Sequence, residues 1–184
     1  MKTEKEKMLS GEVYSPYVAD LTEDRARLKD LIHQYNLLAP SETDAKQALA
    51  RTILGSAKEN FTIEQPFYCD YGYNIHIGNN FFSNFNCTIL DVGLVTIGDD
   101  VLLGPNVSLF TVNHVQDPQG RKDGLEYAKP IVIGNNVWVG GNVVILPGIT
   151  IGDNSIIGAG SVVTKNIPAN VIAVGNPCKV VKEI

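Results

Sequence analysis

Proton transfer, attack on a carbonyl and metal binding all need particular side chains, and this sequence carries few of them in useful places. There are three histidines, His33, His76 and His114. Imidazole is the side chain whose ordinary pKa lies nearest neutrality, so each is a candidate general base. His33 falls on an apolar stripe at helical spacing, where packing or plain surface accounts for it. His76 directly precedes Ile77 and points outward as a surface or interface residue. His114 stands where a regular repeat gives way to a long polar stretch. Cys69, Cys87 and Cys178 lie far apart without a C-x-x-C, which argues against a disulfide framework and a cysteine-built zinc site. Cys87 occupies an inward position, where an inert thiol is expected rather than a nucleophile. A zinc site built from three histidines runs short of ligands, so no metal is expected.

Charge is distributed unevenly. The 184 residues carry a net charge of −5, with 44% apolar and 19% charged residues. That excludes a disordered chain or a coiled coil and argues against a general nucleic-acid or acidic-membrane surface. No uncharged apolar run approaches a membrane span, and Met1–Ser10 lacks the apolar core of a secretory signal, so a cytoplasmic protein is expected. Between Ser161 and Ile184, however, Lys165, Lys179 and Lys182 face a single acid, Glu183. A small basic patch in an acidic chain suits a phosphate-bearing ligand.

Two scaffolds must position these groups. Residues 1–60 read as helices: Thr3 with Glu6, Asp20 with Glu23, and Ser41 with Asp44 resemble capping boxes, and Gly11 and Gly55 sit where C-terminal caps belong. Leu28, Leu31, Ile32, Tyr35 and Leu38 form an apolar stripe that must cover this chain or a neighbouring subunit. Residues 61–184 form the second scaffold, and from Ile75 onward the apolar period becomes six. Hexads start at Ile77, Ser83, Ile97, Leu103, Ile133, Val139, Ile145, Ile151, Ile157 and Val163. Their fourth positions are Asn80, Asn86, Asp100, Asn106, Asn136, Asn142, Gly148, Asn154, Gly160 and Asn166, all residues that enter left-handed backbone at low cost. Asn, Asp and Gly make up 44 of 184 residues, so ten in succession is roughly a one-in-a-million coincidence and the repeat is real. A sharp turn every six residues with aliphatics inward predicts a prism of short parallel strands. The count breaks between Ile89 and Ile97, and again over 111–130, a polar stretch that reads as a long loop thrown out of the prism.

The hexads IGNNVWVG, IGDN and IGAGSVV, followed by TKNIP and VGNP, resemble hexapeptide-repeat acyltransferases. DYGYNIHI at Asp70–Ile77 and FFSNFNCTILD at Phe81–Asp91 narrow the similarity to the maltose and galactoside O-acetyltransferases. The resemblance implies a mainly β chain, a left-handed parallel β-helix after an N-terminal helical segment. It also implies a homotrimer with sites between neighbouring prisms, acetyl-CoA as donor, and a sugar hydroxyl as acceptor. In its terms His114 is the general base, and Glu126 is its partner on the other ring nitrogen or else a solvated loop acid. Asp70, Asn84 and Asp91 align with or lie beside acceptor-contacting positions. Gly104, Gly141 and Ala159 approach the pantetheine arm, with the Gly141 amide facing the oxyanion, while Thr164, Lys165, Lys179 and Lys182 lie near the nucleotide. Trp138 either lines the thioester channel or packs the trimer. Two departures stand out: Val115 follows the histidine where the family often has proline, and Pro16 replaces an acid used by the galactoside branch, leaving only Asp20 nearby. Competing expectations are an antibiotic or amino-acid acceptor, against which the DYGYN and NFNCTILD segments argue, and a non-catalytic structural β-helix.

Overall fold

The computed structural model describes residues 1–184. Its six-residue period closes into a parallel β-helix with three faces. One face has five strands, from Ser56–Ala57 to Thr150–Ile151; a second has seven, from Thr62–Ile63 to Lys179–Glu183; the third has five, from Phe67–Cys69 to Val162–Val163. Strands of two to four residues are dictated by the corners. Asn80, Asn86, Asp100, Asn106, Asn136, Asn142 and Asn154 all have φ between 53° and 59°, and Gly148 and Gly160 share the left-handed region. Their side chains stack into hydrogen-bonded ladders, as in Asn136 to Asn154 to Asn170 at 2.9 and 2.8 Å.

Asn166 does not turn the chain as its place in the repeat predicts. The last coil is shorter: Ile151 pairs with Ile167 and Ile156 with Ile172, steps of 16 residues, whereas Ile133 to Ile151 is a step of 18. The turn therefore falls to Asn170, at φ 60°, and the Asn166 side chain instead accepts the Thr150 N–H at 2.9 Å.

Helices α1 (Glu4–Ser10), α2 (Ala19–Leu37) and α3 (Thr43–Ile53) precede the first strand. Thr3 and Glu6 form the expected capping box and Gly11 the left-handed C-cap of α1. Asp20 and Ser41 do not cap: Val18 and Glu42 precede α2 and α3 without side-chain cap bonds. Gly55 is no C-cap either; a Cβ there would sit 2.1 Å from the Tyr73 carbonyl oxygen, so close approach of backbone explains it. Leu28, Ile32, Tyr35 and Ile53 join one apolar core with Phe61, Ile63, Phe67 and the inward aliphatics of the prism. The helical stripe thus covers this chain's own β-helix, and burial of such side chains contributes about 1.5–3 kcal/mol each.

The stretch over 111–130 is ordered. Val112–His114 pairs antiparallel with Glu126–Ala128, and α4 (Pro118–Lys122), capped by Asp117, forms the tip. The Lys129 N–H bonds the Thr111 carbonyl at 2.8 Å and closes the base of this hairpin. A second, smaller apolar cluster, including Met8, Tyr14, Leu21 and Ala128, fastens α1 and the start of α2 to it.

Candidate active site

Register sets the centre of the site. His114 lies directly opposite Glu126 in the hairpin, and directly opposed residues in an antiparallel pair present side chains on one face. His114 is half-exposed. Its Nδ1 is 3.3 Å from the Leu125 carbonyl oxygen, which can only accept, so Nδ1 carries the proton and Nε2 keeps the lone pair. The partner on the second nitrogen is thus a backbone carbonyl. Glu126 lies instead 3.9 Å from Nε2 through Oε1, on the side from which a proton would arrive. The same carbonyl accepts the Val115 N–H at 3.3 Å, a bond that proline at 115 could not donate.

His114 and Glu126 open into a cleft of about 380 Å³ whose other walls include Pro16, Tyr17, Arg25, Asp70, Tyr71 and Val92. Burial, and then the Glu126 charge, hold the Asp70 carboxyl above its usual range, while Arg25 and Lys29 oppose the shift. Arg25 is fixed by the Tyr71 hydroxyl and the Pro16 carbonyl. It occupies the N-terminal side of the cleft, and Asp20 does not reach it. Arg25 was hidden in the sequence only by its company: it follows Leu21 by four residues and precedes Leu28 by three, on the buried face of α2.

Asp91 is not an acceptor-contacting residue. It is 0% exposed, and its Oδ1 receives the N–H groups of Asp70 and Tyr71, each at 2.9 Å. The two extra residues after Ile89 therefore build a buried anchor behind Asp70. Burial raises the Asp91 carboxyl to about 6, partly offset by those two N–H groups. A folded-state pKa above the unfolded one means that the native state holds the proton more tightly, so stability declines as pH rises from about 4 to about 6. Asp91→Asn should flatten urea stability across that window, by about 2 kcal/mol at most. An unchanged pH slope in the variant would exclude Asp91 as its source. Asn84 also lies away from His114 in the chain; its Oδ1 accepts the neighbouring Phe85 N–H at 2.8 Å.

The residues expected at the donor lie on a second surface, away from the cleft. Gly104, Gly141 and Ala159 stack along one corner of the prism: a Cβ at Gly104 would meet the Gly141 nitrogen at 2.6 Å, and one at Gly140 the Ala159 nitrogen at 2.6 Å. At another corner the equivalent N–H groups of Asn79, Asp99 and Asn135 are taken by the Oδ1 atoms of Asp99, Asn135 and Asp153. Glycine and alanine offer no such oxygen, so the N–H groups of Gly141 and Ala159 have no partner in the chain. They form a row of free donors on a bare backbone edge, which fits an amide-bearing, thioester-terminated arm.

Trp138 is 53% exposed on the outer face of the seven-stranded sheet, between Leu102 and Ile156. Lys182 pairs with Ile172 and Lys179 with Val174 on that sheet. Three residues apart, the two lysines would ordinarily face opposite ways. A bulge opposite Ile172 and Ala173 restores both to the outer face shared by Ile172 and Val174. Thr164 and Lys165 are exposed just after Val162–Val163, the last strand of the third face. None of the three lysines is engaged by a carboxylate.

Residues 7–58 match the maltose acetyltransferase hexapeptide capping motif, and residues 130–165 the bacterial transferase hexapeptide (six repeats). Galactoside O-acetyltransferase of Escherichia coli K12 is 49% identical over 179 residues, spanning 97% of this chain and 88% of its own. The chain belongs to the maltose and galactoside O-acetyltransferase family. As a member of that family it is an acyltransferase. A maltose O-acetyltransferase from Clostridium difficile 630 shares its fold at a TM-score of 0.98 and 51% identity, over 100% of this chain and 98% of that one. A galactoside acetyltransferase crystallised with coenzyme A does so at 0.96 and 48%, over 100% and 92%.

Proposed function

We propose that this acetyltransferase moves the acetyl group of acetyl-CoA to a hydroxyl of a sugar, with His114 as general base. The observation that carries this reading is the placement of His114, which lines the cleft with Nδ1 3.3 Å from the Leu125 carbonyl oxygen, an arrangement that leaves Nε2 to take a proton. As the hydroxyl oxygen attacks the thioester carbon, its proton passes to Nε2. The oxyanion that forms is met by the free Gly141 N–H. The carbon–sulfur bond then breaks, and the departing thiolate takes the proton back from the imidazolium. Asp70, Arg25 and Glu126 supply hydrogen bonds for the remaining sugar hydroxyls. No three His, Cys, Asp or Glu side chains converge as metal ligands, and no step above uses one.

A cytoplasmic homotrimer is part of the proposal. Phe82, Leu102, Trp138, Ile156 and Ile172 run as an outward apolar line up the seven-stranded sheet, a surface suited to a neighbouring prism. No helix is long and apolar enough to cross a membrane.

The donor assignment is tested at the lysines. Replacing Lys165, Lys179 or Lys182 with alanine should raise the KM for acetyl-CoA several-fold and leave the sugar KM nearly unchanged, and added salt should act in the same direction. Loss of sugar binding instead would remove coenzyme A from the C-terminal hairpin.

A further inference from the structure

We propose that Tyr14 is a positioning residue for the transfer: its hydroxyl bonds Glu126 Oε2 and keeps Oε1 beside His114 Nε2 but out of hydrogen-bonding contact. The inference rests on the reading of His114 as general base.

Tyr14 is 1% exposed, with its ring in the apolar cluster that joins α1 to the hairpin. Three bonds join it to the one residue. The Tyr14 N–H donates to the Glu126 carbonyl at 2.9 Å, the Glu126 N–H returns to the Tyr14 carbonyl at 3.1 Å, and the phenol donates to Oε2. Burial, and then the carboxylate it touches, push the Tyr14 hydroxyl up, so it remains a donor at any working pH. Glu126 is thus fixed at its backbone and at one carboxylate oxygen. His114 is fixed at Nδ1 by Leu125, the residue next to Glu126.

The separation left by these restraints is the 3.9 Å between Oε1 and Nε2. That distance has a chemical consequence. A carboxylate so placed stabilises the imidazolium formed as the hydroxyl attacks. About 1 Å nearer it would hydrogen-bond a protonated Nε2, giving an ion pair in which the base has no lone pair to offer. Released from Tyr14, Glu126 can make that approach. The other groups facing the pair are Asp70, Arg25, Tyr17 and Tyr71; Arg25 is itself held by Tyr71 and Pro16.

The test is the pH dependence of kcat/KM in Tyr14→Phe, Glu126→Gln and the double variant. Phenylalanine keeps the buried ring, and an unchanged thermal midpoint establishes folding. Tyr14→Phe should raise the apparent pKa of the rising limb by about one unit and lower kcat/KM at neutral pH by about tenfold, with recovery at higher pH. Glu126→Gln should move the limb down, and adding Tyr14→Phe to it should move the limb no further. A limb unmoved in Tyr14→Phe, or moved equally with and without the Glu126 charge, overturns the positioning role. A limb that persists in His114→Ala removes the base itself, an outcome separable from the first.

Discussion

With His114 as the proposed general base, His114→Ala should lower kcat by about two to four orders of magnitude and leave acetyl-CoA affinity close to that of the unmodified protein. On that proposal the imidazole acts on the hydroxyl proton during attack and not on the nucleotide, so the loss should fall on the chemical step. The rising limb of kcat/KM against pH disappears with the ring. What remains should come from the free N–H groups of Gly141 and Ala159 and from holding the two substrates together. His33→Ala and His76→Ala should stay active: His33 is exposed on α2, and His76 bonds Ser56 Oγ at 2.8 Å on a different face of the prism. Normal turnover in His114→Ala across the pH range would end this mechanism and make Asp70 the next base to examine.

The second large effect is at Gly141, where only a backbone N–H is at stake. Gly141→Pro deletes that donor, and the loss of one oxyanion donor costs about 10² to 10³ in kcat. Gly141→Ala keeps the N–H, and its methyl would meet Pro105 at 3.2 Å, a contact relieved by a small shift. Alanine should therefore cost less than about tenfold. Melting curves for both variants separate chemistry from folding. A proline variant that folds and turns over as fast as the alanine variant would leave the oxyanion without its assigned donor.

Much of this could be read from residues alone, for identifiable reasons. A corner that demands left-handed backbone selects Asn, Asp or Gly each time, so the prism is written in the period itself. His114, Glu126 and Asp70, singled out in the sequence, line one cleft. The remainder depends on pairings that no local pattern encodes. Val112–His114 and Glu126–Ala128 form a hairpin in which only Ala128 is buried, so their strands lack the alternation that marks a half-buried sheet. Asp91 occupies a break in the repeat, a position that reads as a site, yet it faces inward to hold the Asp70 and Tyr71 N–H groups. Tyr14 meets Glu126 across 112 residues of chain. Lys179 and Lys182 share a face only because of a bulge.

The most direct test of the account is release of free thiol from acetyl-CoA measured against a panel of glucosides, galactosides and maltose, with the acetylated product identified by mass spectrometry. Thiol release should require a sugar, should match the sugar ester formed one for one, and should fall to near background in His114→Ala. Thiol release that no sugar stimulates, but that an amine or an antibiotic does, would contradict the assignment of the cleft to a sugar hydroxyl.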